Sequence, residues 1–376
     1  MIYLDYNATT PIDKEVAEAM LPYLFEHFGN PSSSHKFGII ANQAVEKARK
    51  QLAELINCLP EEIIFTSGGT EANNFALKGA AFAGKGLGKH IITSNIEHPA
   101  ITEVCEYLQR AGFEISYLPV DEFGILQPET VAKAIKPSTI LISVMHANNE
   151  TGSIQPIAEI GELAKKHNIL FHSDAAQSMG KIEVDVQKFG LDMLSIAGHK
   201  LYAPKGVGAL FVRKGVHLKR LLHGASHERN LRAGTENVLE IVGLGKAAEI
   251  AKQYLAKNAG HSLAMRNLLH TELVKNLPDT KLNGHPVLRL PNTLNVGFKG
   301  INASTLINQL ENVACSAGAA CHSHGVKISK VLEAMHIPAE YAQGTVRFSV
   351  GKYTTEEEIR QAVSEIVEQV QLQQKQ

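Results

Sequence analysis

The chain carries almost no net charge: 37 basic and 38 acidic side chains leave −1 over 376 residues. That balance creates no field able to gather nucleic acid or an anionic membrane, so neither is expected as a partner. No apolar run reaches the roughly 18 residues that a membrane-spanning helix requires. Four cysteines are too few for a disulfide framework at this length and point to a reducing, cytoplasmic setting. Met1-Ile-Tyr-Leu-Asp5 reads at once as a strand with no basic leader ahead of it, which fits the same compartment. Repeats at a fixed period are lacking, and the only biased tract is the glutamine-rich tail.

What is present is an ordinary globular composition, 44% hydrophobic and 20% charged. The length exceeds what one core comfortably fills, so a large domain with a smaller one is expected. Asp13 is placed to cap a helix from Lys14 to Phe28, and a long amphipathic helix covers Gly38 to Leu55. Short apolar runs at Glu62–Thr66, His90–Ser94, Glu114–Leu118, Thr139–Met145, Ile169–His172, Met193–Ala197 and Gly208–Val212 read as strands. Helical stretches fall between them, ending at Phe82 and covering Pro99–Ala111, Pro128–Ile135, Ile157–His167 and Val184–Phe189. Such alternation predicts an α/β fold with a mainly parallel sheet flanked by helices. A helix over Val238–Lys257 leads out of it. The pattern then changes to strand-like Thr293–Phe298 and Val346–Gly351 with a final helix from Thr355. The expected division is a large domain over 14–258, with 1–13 and 259–376 forming a small α+β domain.

Two apolar runs end on chemistry. Ile169-Leu-Phe-His-Ser-Asp174 finishes on a carboxylate, and Asp192-Met-Leu-Ser-Ile-Ala-Gly-His-Lys200 finishes on an amine. Unalternating apolar runs of this length suit strands buried on both faces. Groups at the carboxyl ends of such strands lie in the crevice where open α/β sheets hold ligands. A lysine able to form a Schiff base, with an aspartate for a pyridinium nitrogen, is what pyridoxal phosphate chemistry needs. A lone aspartate there is more often a cap, and a lone lysine a surface residue, so further contacts must be found.

Other motifs supply them. Ser67-Gly-Gly-Thr70 lies between a strand and a helix, where backbone N–H groups and the helix amino end favour an anion. No lysine follows the glycines, so this is not the nucleotide-binding P-loop. His98, held extended by Pro99, can project from a strand end over an aromatic ring. Asn148-Asn-Glu-Thr-Gly152 offers amides, or simply a turn. Cys321 sits among small residues that suit a loop bringing a thiol to substrate, and Arg347 is suited to a carboxylate. Cys315, Cys321, His322 and His324 also invite a zinc reading, but the cysteine spacing is wider than usual, and no metal is expected.

Together these stretches resemble the class V aminotransferases, and within them the cysteine desulfurases and selenocysteine lyases. The matches run along the chain: Leu4-Asp-Tyr-Asn-Ala-Thr-Thr-Pro11, Gly29-Asn-Pro-Ser-Ser33, Phe65-Thr-Ser-Gly-Gly-Thr-Glu71, Glu97-His98, Asn148–Gly152, Asp174-Ala-Ala-Gln177 and Gly198-His-Lys200. His227-Glu-Arg-Asn230, Arg232-Ala-Gly-Thr-Glu-Asn237, Cys321 and Val346-Arg-Phe-Ser-Val-Gly351 complete them. The resemblance implies the pyridoxal-phosphate transferase fold type I, with Lys200 bonding the cofactor aldehyde and Asp174 facing the ring nitrogen. It further implies His98 stacked on the ring, with Gln177 and Asn149 at the phenolic oxygen. Gly69, Thr70 and His199 would hold the phosphate, Thr235 would reach a partner subunit's phosphate in a homodimer, Arg347 with Asn149 would bind substrate, and Cys321 would be the nucleophile.

On that resemblance the expected activity is desulfuration of L-cysteine to L-alanine. Sulfur would be left as a persulfide on Cys321 for an acceptor protein serving iron–sulfur clusters or tRNA thiolation. Selenocysteine lyase is the alternative. Ala197 stands where many desulfurases have a phosphate-binding serine; those lyases are also apolar there, and Ala319-Ala-Cys-His-Ser323 and the Glu-Arg-Asn after His227 resemble them too. A catalytically idle sulfur-transfer scaffold is the non-enzyme alternative, which the joint presence of Lys200, Asp174 and Cys321 disfavours.

Overall fold

The computed structural model describes residues 1–84, 88–317, 319–322 and 325–375, with 319–322 and 325–327 described by backbone alone. A seven-stranded sheet forms its centre. In chain order its strands are β1 (Ile63–Thr66), β2 (His90–Ser94), β3 (Glu114–Leu118), β4 (Thr139–Ser143), β5 (Leu170–Asp174), β6 (Met193–Ala197) and β7 (Gly208–Val212). In space they run β1-β7-β6-β5-β4-β2-β3. Strands β6, β5, β4, β2 and β3 are mutually parallel, while β7 lies antiparallel to both β6 and β1. The carboxyl ends of β1, β2, β4, β5 and β6 therefore open on one edge of the sheet.

Successive strand residues feed opposite faces. Ile92, Ile142, Phe171, Leu194 and Phe211 pack into one core with Leu52, Ile56 and Leu244. Their neighbours Ile91, Leu141, Met193 and Leu210 pack on the other face against Phe75, Leu77 and Leu108. Burial on both sides explains why these runs do not alternate in polarity.

A second core surrounds a four-stranded antiparallel sheet ordered Ser316–Ala317, Thr345–Ser349, Thr293–Phe298, Thr280–Leu282. It includes Leu294, Val296, Phe348, Ile359 and Ile366, and also Ile2 and Leu4 from the start of the chain. Residues Ile2–Tyr3 pair in parallel with Val313–Ala314. The helix expected over Val238–Lys257 continues to Asn276. Ile241, Leu244 and Ala248 on it belong to the first core, and Met265, Leu269 and Leu273 to the second.

Two sequence expectations fail locally. Lys14–Phe28 is two short helices, Lys14–Met20 and Pro22–Phe25, because Pro22 cannot supply the amide that a continuous helix needs. Val184–Phe189 forms no helix, and residues 186–190 are a run of turns. There Asp185 accepts the Gln187 and Lys188 N–H groups with its side chain, and Gly190 reverses the chain at φ 61°. Such side-chain capture of backbone amides competes with helix.

Glu228, Arg229 and Asn230 are three consecutive non-glycine residues at positive φ, a costly arrangement unless the surroundings impose it. Here the surroundings include a buried ion pair. Arg49 donates to both oxygens of Glu228 at 2.8 Å, and the Phe65 N–H donates to Glu228 at 2.9 Å. Glu228→Gln leaves the buried Arg49 only the half-exposed Glu46, 3.0 Å from its Nε, as a counter-charge, and the expected loss is about 3 kcal/mol, read from urea unfolding of the two proteins. Among the described residues no helix is long and apolar enough to cross a membrane.

Candidate active site

The shared edge of the large sheet, roofed by the first residues of the chain and by Arg347, encloses a cavity of about 360 Å³. Gly69, Thr70, His98, Asn149, Asp174, Gln177, His199, Lys200 and Arg347 all line it, with Asn7, Asn73 and Ala197. Most come from the ends of neighbouring strands of the large sheet or from the segments that follow them, Gly69, Thr70 and Asn73 after β1, Asp174 and Gln177 at and after β5, and Ala197, His199 and Lys200 at and after β6, which is why residues so far apart in sequence meet.

Asp174 closes β5 and is buried. Its Oδ2 accepts from Asn73 Nδ2 at 2.7 Å and its Oδ1 from the Ala176 N–H at 2.9 Å. Lys200 ends a single 3₁₀ turn after β6, and its Nζ donates to the carbonyls of Asn7 and Ala8, the latter at 2.7 Å. Burial, followed by the Arg347 charge, brings its amine down to about 8, while Asp5 and Asp174 oppose the shift. At neutral pH the neutral amine is therefore far more populated than in an ordinary lysine.

His98 caps the helix Pro99–Arg110, in extended geometry as expected before proline. Its Nδ1 accepts the Ala100 N–H at 3.1 Å, which leaves the ring proton on Nε2, and burial lowers its basicity. His199 stands beside Thr9 with Nδ1 3.2 Å from the hydroxyl. Burial, then the charges of Lys200, Lys205 and Lys181, takes it down to about 4.

The helix Gly69–Ala83 starts at the cavity wall, and its first N–H groups have no acceptor within the helix. A Cβ at Gly69 would stand 3.2 Å from the Cβ of Ala197. The small residue at 197 thus packs directly beside the glycine of the loop. Arg347 donates to Asp5 at 2.8 Å, to Ser316 Oγ at 3.0 Å and to the Asn149 carbonyl at 3.0 Å, while its buried Nε has no partner among the described residues.

Thr235 lies elsewhere. It is exposed and lines a separate cavity with Ser67, Arg232 and Asn237. That loop is tied to the glycine turn by Glu71, which accepts from Arg232 at 2.9 Å and from the Ser67 N–H at 2.8 Å. The backbone of Cys321 pairs with Val326 in a hairpin. The side chain proposed from sequence as nucleophile, and those of His322 and His324 in the zinc alternative, lie outside the described residues.

Sequence reasoning missed four residues. Asn7 supplies a carbonyl to Lys200, Asn73 orients Asp174, and Lys181 reaches Gln177. Glu97, buried and pushed up to about 8 by that burial, accepts from Ser94 Oγ at 2.6 Å and the Met145 N–H at 3.0 Å. The turn carrying His98 is thereby fastened to the end of β4. Asn7, Asn73 and Glu97 stand within or beside the motifs quoted above, which was the available signal.

The family model for aminotransferase class-V matches residues 2–362. The chain belongs to the class V aminotransferases, in their cysteine desulfurase branch. A cysteine desulfurase IscS of Dictyoglomus turgidum is 50% identical over 95% of this chain and 91% of its own length. The enzyme of that name from Methanosarcina thermophila is 48% identical over 98% and 92%. A solved NifS-like protein superposes with TM-score 0.93 at 39% identity, covering 99% of both chains. A structure described as SspA in complex with cysteine matches with TM-score 0.83 at 38% identity, over 94% of this chain and all of that one. The architecture is pyridoxal-phosphate fold type I, and the family depends on pyridoxal 5′-phosphate.

The residues present fit that group. A buried carboxylate, an amine of lowered basicity and the amino end of a helix face one cavity. Asn149 lines the same wall.

Proposed function

We propose that this chain is a pyridoxal-phosphate-dependent cysteine desulfurase, converting L-cysteine to L-alanine and leaving sulfane sulfur on Cys321. The observation that carries the reading is the meeting of Asp174 and Lys200 in one cavity from adjacent strands, the lysine with its amine brought down to about 8. In this reading Gly69, Thr70 and His199 hold the cofactor phosphate, and His98 lies on the ring. Asn149 and Gln177 donate to the phenolic oxygen, and Lys200 bonds the aldehyde. When bound, the cofactor supplies a sink for the electron pair left at the substrate Cα.

Asp174 holds a proton at the ring nitrogen, because a buried carboxylate with two neutral donors stabilises the adjacent cation. Lys200, released by substrate, takes the Cα proton and returns protons as the reaction proceeds. Arg347, which lines the cavity and has a buried Nε without a partner among the described residues, faces the substrate carboxylate. The Cys321 thiolate attacks the substrate sulfur. An S–S bond forms as the C–S bond breaks, its electron pair passing to carbon, and protonation there completes alanine.

The assembly proposed is a homodimer in which Thr235 serves the partner's phosphate site. Its exposure and its place in a cavity separate from this chain's own cofactor site support that role. A soluble sulfur-acceptor protein and a cytoplasmic location complete the proposal. So does a division into a large domain over 14–258 and a small domain formed by 1–13 and 259–376, which the two cores support.

Cys321→Ala tests the reading. The variant is expected to keep the yellow colour of bound cofactor while alanine release from cysteine falls below about 1% of wild type. Coloured protein with unreduced turnover would remove Cys321 from the chemistry.

A further inference from the structure

Lys181 lies outside the cofactor cavity and has no part in the steps above, yet its hydrogen bonds lead to that cavity. Its Nζ donates to Gln177 Oε1 at 2.9 Å and to Asn7 Oδ1 at 3.3 Å. Burial, then the charges of Lys200 and Arg347, holds its amine well below the usual lysine range. Even a neutral amine keeps two N–H bonds for the two oxygens.

The contact decides which way Gln177 faces. With the oxygen end taken by Lys181, the NH2 end must turn away, and it donates to the Asn7 carbonyl at 3.0 Å. The same carbonyl accepts from Lys200. Asn7 is fixed at its other polar atoms as well. Its N–H donates to Ser349 Oγ at 2.9 Å, its Nδ2 to Thr293 Oγ1 at 2.9 Å, and its Oδ1 accepts from Asn292 at 2.9 Å. Behind this network lies a space of about 30 Å³ bordered by both Lys181 and Lys200, room for a water molecule or two.

We propose that Lys181 is a positioning residue, setting the amide of Gln177 and the carbonyl of Asn7 around the lysine that bonds the cofactor. The inference rests on the functional reading above. A wild-type protein that shows no visible cofactor band fails that reading before Lys181 is altered.

The test compares purified holoproteins of wild type, Lys181→Met, Gln177→Met and the double variant. Each single change is expected to displace the visible absorption maximum and to weaken cofactor retention about tenfold. The double variant is expected to be no worse than the poorer single, because the two residues act as one unit. A Lys181→Met protein with the wild-type band and retention overturns the proposal, as does a double variant whose losses multiply. Should Lys181→Met fail to fold, Lys181→Arg decides: it keeps donors at similar reach and is expected to retain the wild-type band. A displacement as large as that of Gln177→Met overturns the proposal.

Discussion

Lys200→Ala is expected to lower kcat for alanine formation by about three to four orders of magnitude. Two functions vanish together: the amine that fixes the cofactor and the base that moves the Cα proton. Neither histidine described in the cavity is placed to substitute. His98 has its Nδ1 committed to the Ala100 N–H, and His199 is held near pKa 4. The amine itself is surrounded by backbone carbonyls, so its loss removes a donor and leaves no buried charge unpaired. The variant should therefore fold. Borohydride treatment followed by peptide mass analysis provides the structural readout: wild type carries cofactor mass on the Lys200 peptide and the variant carries none. Wild-type turnover by Lys200→Ala would remove this lysine from catalysis.

Asp174→Ala is the second large effect. In the proposed reading Asp174 pairs with the protonated ring nitrogen of the cofactor, and deleting one member of such a close, desolvated charge pair costs about 2–5 kcal/mol, or roughly 30- to 5,000-fold in kcat. Asp174→Asn separates charge from shape, since an amide still offers an oxygen to Asn73 or to the Ala176 N–H. Asn is expected to fall nearly as far as Ala. Steady-state kinetics at saturating cysteine measures both, and an Asn variant retaining full turnover would show that shape, not charge, matters there.

Much of the large sheet was legible because its strands are buried on both faces and announce themselves as unbroken apolar runs, Met193–Ala197 being one. The order of those strands was not. Nothing local in Gly208–Val212 says that it lies between β1 and β6, antiparallel to each. The Val184–Phe189 segment misled because its apolar spacing suits a helix, while Asp185 diverts the amides. In the site, Lys200 and Asp174 stood out through their place after apolar runs. Asn7 acts through its backbone carbonyl, which no side-chain pattern encodes. Lys181 was hidden for another reason: its role is set by which end of an amide it meets, a matter of orientation.

The Asn7–Ser349 hydrogen bond spans 342 residues. At ribosomal rates of roughly 5–20 residues per second, the first partner emerges about 17–70 s before the second. A nascent chain can complete β6 and expose Lys200 long before Ser349 exists to anchor the carbonyl that receives its amine. The anchored carbonyl that receives the Lys200 amine is thus available only to polypeptides whose synthesis has passed the last strand of the smaller sheet.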